Sequence, residues 1–162
     1  ALIPNNISLV FKPYDNITLD ILSETMYDLS CKYKDKYNLI DKIDKGFPSE
    51  LISSSGLILW NQPGTGFLEC ISAQIPTMIF WTRFSTKEEE WVEEIFKKLE
   101  KVGVIHSRVD TLVQEIKVFN KSSDEWMKNP ERISVIEEFC YQYARVDDNW
   151  HRQWRDFFSN LT

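Results

Sequence analysis

The chain has 162 residues, 43% hydrophobic and 14% aromatic, enough to bury one core and too few for two ordinary domains. Its formal net charge of −6 argues against the clustered Lys and Arg excess of a nucleic-acid-binding surface, so no nucleic-acid partner is expected. No apolar run approaches the ~20 residues that span a bilayer, and the stretch after Ala1 lacks the basic start of a signal peptide.

Three cysteines, Cys31, Cys70 and Cys140, stand far apart without a CxxC pair. They read as reduced thiols packed in a core, as in a cytoplasmic protein, and no metal site is expected. The absence of an initial Met, with a strand-like run close behind Ala1, reads as a piece of a longer protein.

In chain order, short strand-like runs alternate with helical patterns, the signature of βα units around a parallel sheet. Ile7 to Phe11 reads as a strand. A helix follows from about Thr18 to Tyr33, with Leu22, Met26, Leu29 and Tyr33 on one face. Tyr37 to Ile40 is a second strand and Pro48 to Ile52 a short helix. Gly56 to Trp60 and Pro76 to Trp81 are nearly continuous apolar runs, as in parallel strands covered on both faces. After Phe84, Ser85 and Glu88 predict a capping box for a helix striped by Trp91, Val92, Ile95, Phe96 and Leu99. Gly103 stands where that helix ends, and Val104 to His106 makes a fifth strand. The remainder is helical. Asp110 is expected to cap a helix carrying Leu112, Val113, Ile116 and Phe119. Asn129-Pro130 predicts a cap followed by Pro at the first helical position, opening a helix that buries Ile133, Ile136, Phe139, Cys140 and Tyr143. A last helix opens at Asp147 or Asp148. It carries Trp150, Trp154, Phe157, Phe158 and Leu161; the Trp150/Trp154/Phe158 stripe reads as core packing rather than a sugar platform, with some of these aromatics facing a surface left bare in this piece. The fold class is therefore α/β: a Rossmann-like parallel sheet of about five strands, helices on both faces, and a helical C-terminal tail.

In such a sheet, ligands bind beyond the carboxyl ends of the strands. Asn61-Gln62-Pro63-Gly64-Thr65-Gly66 leaves a strand and runs directly into a helix. Two glycines permit close backbone approach, and a helix start presents N–H groups and partial positive charge to a phosphate. Thr65 adds a hydroxyl, and Glu69, one turn on, is placed to accept both hydroxyls of a ribose. Equally, a Gly-rich turn can do no more than redirect the chain, with Glu69 an ordinary surface residue. The loop is neither a Walker A motif nor a three-glycine dinucleotide fingerprint. His106 and Arg83, each near the end of a strand, are secondary candidates alongside Asn61. His106 is as compatible with a partly buried structural role. No nucleophile–base pairing is legible, so no catalytic residue is named.

The stretch from Leu51 to Thr77, with Pro63-Gly64-Thr65-Gly66-Phe67-Leu68-Glu69 followed by Ile75-Pro76-Thr77, resembles the C-terminal, donor-binding segment of GT-B glycosyltransferases. More narrowly it resembles a bacterial family of transferases linked to O-antigen and surface-polysaccharide synthesis. That similarity extends to Phe80-Trp81, Gly103-Val104-Ile105-His106, Glu125-Trp126 and the Trp-rich last helix. It implies that Gly64, Thr65 and Gly66 form the phosphate-side loop and that Glu69 contacts the ribose. The family tends to carry an Arg after the first strand. Here Phe11-Lys12-Pro13-Tyr14 stands in that place, which makes Lys12 the candidate phosphate cation, without the bidentate fork of Arg.

On this resemblance, residues 1–162 form one nucleotide-sugar-binding domain, with 107–162 as a helical extension. A missing N-terminal domain supplies the acceptor site. The expected reaction is sugar transfer from a nucleotide-sugar, bound as substrate, to a glycan acceptor. No cofactor is implied, and the location is cytoplasmic or peripheral at the inner membrane. Two alternatives stay open: half of a nucleotide-sugar epimerase, and a non-catalytic Rossmann-like interaction domain.

Overall fold

A computed structural model of the chain describes residues 4, 6–40, 48–82 and 89–160. Contacts gather the chain into two compact units, Ala1–Ser53 and Ser54–Thr162.

In the first unit, β1 (Leu9–Phe11) pairs in parallel with β2 (Tyr37–Leu39), and α1 (Asn16–Tyr33) crosses between them. Asp15 caps α1 by accepting the Thr18 N–H at 2.7 Å, which satisfies one of the helix's free donors. A single 3₁₀ turn at Lys34–Lys36 leads into β2, whose buried Tyr37 donates its hydroxyl hydrogen to Met26 Sδ at 2.7 Å. The short helix α2 (Ser49–Ser53) ends the unit.

In the second unit, β3 (Ile58–Trp60), β4 (Thr77–Phe80) and β5 (Ile105–His106) form a parallel sheet in the order β3-β4-β5, in register Ile58↔Thr77 and Ile79↔Ile105. The connections are α3 (Thr65–Ser72) and α4 (Glu90–Lys101). After β5 come α5 (Val109–Lys121), α6 (Ser123–Met127), α7 (Pro130–Tyr143) and α8 (Trp150–Ser159). Among the described residues the chain shows the expected α/β fold, with five strands, parallel within each sheet, and a helical C-terminus. Ladder pairing groups the strands as two and three.

Successive residues of a strand face opposite sides of the sheet, and β4 shows this directly. Ile79 joins the cluster of Phe67, Ile71, Ile95, Phe96, Leu99 and Phe139, supplied by α3, α4 and α7, together with Val104 and Ile105 at β5. Met78 faces the other way, onto Leu112 of α5 and Trp126 of α6. Both faces of the sheet are therefore covered, which is why its strands are apolar almost throughout.

Several expectations need correction. Asp110 does not cap α5: Arg108 holds the N-cap position, and the Asp110 carboxylate pairs with the Arg108 guanidinium instead. Described from Glu89 onward, α4 begins at Glu90 without a side-chain cap; the Ser85/Glu88 capping box lies outside the described residues. Cys31 is exposed on α1, whereas Cys70 is buried and Cys140 half-buried, and all three are free thiols. In α7, Ile133 is exposed and Arg132 buried. The aromatic stripe of α8 is no core: Trp150, Trp154, Phe157 and Phe158 are each more than half exposed, and no residue of α8 is buried. No described helix is long and apolar enough to cross a membrane.

Candidate functional site

Asn61, Gln62 and Pro63 carry the chain from the end of β3 to Gly64, the N-cap of α3. Gly64 is extended (φ −93°, ψ −178°), and its carbonyl accepts the first helical bond from Leu68 N–H at 3.2 Å. No side chain caps the helix, so the geometry of a helix start leaves the N–H groups of Thr65, Gly66 and Phe67 without intrahelical partners. Thr65 and Glu69 stand four residues apart, on one face of α3, and both are exposed. Neither side chain makes an ion pair or hydrogen bond among the described residues. Asn61 is exposed at the same end of β3.

The two glycines do different work. A Cβ on Gly66 would lie 2.4 Å from the Trp60 ring, so glycine lets α3 pack directly on the end of β3. That indole has its N–H buried without an oxygen or nitrogen acceptor, beside the Cys70 thiol. Burial pushes the Cys70 thiol up, and the indole offsets part of the rise. Around Gly64, by contrast, an added Cβ would meet nothing within 4 Å. Its φ is one that any residue adopts, so neither conformation nor packing requires glycine there.

The remaining candidates fall elsewhere. Lys12 follows β1 in the first unit and is half-buried. Arg83 lies outside the described residues. His106, the last residue of β5, is 5% exposed, with Nε2 3.1 Å from the Gly103 carbonyl and Nδ1 3.3 Å from Thr111 Oγ1. Burial holds its pKa below the ordinary value, against smaller rises from the Gly103 carbonyl and the Glu115 carboxylate. In this structure both ring nitrogens are engaged within the chain. Among the described residues no group of three or more His, Cys, Asp or Glu is placed to hold a metal ion.

A second polar cluster was not legible in the sequence. Arg132 Nε donates to the Val102 carbonyl at 2.8 Å, Nη1 to the Trp126 carbonyl, and Nη2 to Glu115 Oε1 at 2.8 Å. Its guanidinium lies over the Trp126 ring, 3.8 Å from the centroid, and Trp126 Nε1 donates to the same Glu115 oxygen at 2.6 Å. Gly103, in the left-handed region at φ +75°, closes the cluster: a Cβ there would lie 2.5 Å from Glu115 Cδ. Gly103 and Trp126, two of the residues that carry the family resemblance, thus share one structural junction where the end of α4 meets α5, α6 and α7. A single Arg in a helical pattern reads as surface, and nothing in its spacing marks it otherwise.

No curated protein and no solved structure matches the chain. A profile of the LIC12162 family transferases matches residues 20–158, which include β2 to β5, the Gly64 turn, the Arg132 junction and nearly all of α8. The chain belongs to the LIC12162 family of transferases.

Proposed function

We propose that this chain is the donor-binding part of a GT-B glycosyltransferase, moving a sugar from a nucleotide-sugar to a surface-polysaccharide or O-antigen-type acceptor. Gly64 carries the reading. Where neither φ nor packing calls for glycine, its presence leaves bare backbone beside the unpaired N–H groups of an uncapped helix. A diphosphate needs that surface: donors that point outward, partial positive charge, and no side chain in the way.

In this reading the N–H groups of Thr65 and Gly66 and the Thr65 hydroxyl hold the diphosphate and stabilise it as it leaves. Glu69, on the same face of α3 as Thr65, accepts the two ribose hydroxyls. Membership of a transferase family supports a group-transfer reaction; the sugar and its acceptor are the proposal. Lys12 enters only through the resemblance, as a further phosphate cation. The general base and the acceptor site are assigned to a separate N-terminal domain.

A four-affinity cycle tests the assignment. Glu69→Gln keeps the helix, since the two residues have similar propensity. It should weaken nucleotide binding about tenfold to hundredfold, because hydrogen bonds to a charged acceptor contribute roughly 1.5–3 kcal/mol. A 2′,3′-dideoxy nucleotide should bind wild type and variant equally. A coupling near zero between the substitution and the missing hydroxyls would remove Glu69 from the site.

A further inference from the structure

The Gly103 carbonyl can only accept, so His106 Nε2 carries a proton whichever state the ring is in. In the neutral ring, Nδ1 is then bare and needs a donor. Thr111 has one hydroxyl hydrogen and two acceptors in reach: Nδ1 at 3.3 Å and the Arg108 carbonyl at 2.9 Å. The Arg108 carbonyl also receives the Leu112 N–H at 3.2 Å, so it stays partnered when Thr111 turns away. With a neutral ring, Thr111 donates to Nδ1. With a charged ring, Nδ1–H donates to Thr111 Oγ1 and the hydroxyl hydrogen passes to the Arg108 carbonyl at the N-cap of α5.

We propose that His106 and Thr111 form a proton-driven latch between the end of β5 and the first turn of α5, whose two states differ in the direction of the Thr111 hydroxyl. Among the described residues the charges around it are few. Glu115 of α5 favours the charged ring and is itself held by Arg132 of α7. β4 carries no charged residue, and Lys98 and Lys101 of α4 are paired with Glu138 and Glu131. Arg108 and Asp110 form an exposed pair at the start of α5. Burial opposes the charged ring. The folded protein therefore binds this proton less readily than the unfolded chain. Stability falls as pH drops below the ordinary histidine value of about 6.5, while the folded molecules that take up the proton reverse the latch. The latch is independent of whether the Gly64 loop binds a nucleotide.

The chain has two histidines, and the His106→Gln variant identifies which imidazole resonance belongs to His106. Imidazole NMR titration of the whole chain should place the His106 midpoint below the ordinary histidine value of about 6.5. The Arg108 carbonyl ¹³C resonance should move with the His106 midpoint as it gains a second donor. Thr111→Val removes the relay but keeps the shape. It should lower the His106 midpoint by about half a pH unit, because a bond made by the charged ring is worth more than one accepted by the neutral ring. It should also make the Arg108 carbonyl insensitive to the His106 titration. His106→Gln should likewise abolish the carbonyl response. An unchanged His106 midpoint in Thr111→Val, or an Arg108 carbonyl that does not follow His106 in the wild type, would overturn the latch.

Discussion

Where the end of α4 meets α5, α6 and α7, polar groups are turned inward: Arg132 reaches two carbonyls and a carboxylate, and that carboxylate also accepts the Trp126 N–H. At the start of α3 they are turned outward. Helix N–H groups, a hydroxyl and a carboxylate stand on one exposed rim, with nothing engaged on them among the described residues. A buried charge is tolerated only when it is paired and hydrogen-bonded, so the first cluster locks four helices into one arrangement. Unpaired donors are harmless while water serves them, so the second cluster stays available to a ligand. The contrast separates residues that hold the fold from residues free to act on something else.

Breaking the inward cluster should give the largest effect. Arg132→Met keeps the length of the side chain but strands Glu115 with only the Trp126 N–H, and should cost about 3–5 kcal/mol in urea denaturation. A loss below about 1 kcal/mol would mean that the junction is peripheral. Gly103→Ala comes next. It places a Cβ against the Glu115 carboxylate and forces a left-handed residue, and should cost about 2 kcal/mol. Both variants should bind nucleotide normally at temperatures where they remain folded.

The two glycines of the α3 turn sharpen the comparison within six residues of sequence. Gly66→Ala should destabilise by about 1–3 kcal/mol, because the new methyl meets the Trp60 ring and α3 must shift. Gly64→Ala should cost under about 1 kcal/mol, the difference between the two residues at an N-cap. Its effect should appear in nucleotide affinity instead. Equal stability losses at the two positions would remove the distinction on which the site assignment rests.

Much of this was legible in the sequence, and the failures have a common cause. The stripe of Ile95, Phe96 and Leu99 marked α4 as a core helix, and Gly103 marked its end, because period and terminator are local signals. The stripe of Trp150, Trp154 and Phe158 looks the same in sequence, yet all three residues are exposed. Periodicity shows that one face is apolar and does not show what covers it. Periodicity puts Ile133 inside for the same reason, whereas Cys31 is expected inside on cysteine usage alone; both are exposed. Arg132 is not legible because its partners come from three elements, α4, α5 and α6, a coincidence that only the assembled fold reveals. At the α3 turn, Gly64 and Gly66 are indistinguishable in sequence, and only the position of Trp60 tells them apart. The Asp110 side chain suits a cap, but Arg108, two residues earlier, claims the carboxylate instead.

The central claim is that the outward cluster receives a nucleoside diphosphate. The direct test is a ¹H–¹⁵N titration of this chain with nucleoside diphosphate sugars to several millimolar, since a free energy near −4 kcal/mol corresponds to millimolar affinity. The account predicts saturable shifts concentrated at Thr65, Gly66 and Phe67, weakened by Gly64→Ala. Silent amides at those three positions throughout the titration, or saturable shifts confined to other parts of the chain, would contradict it.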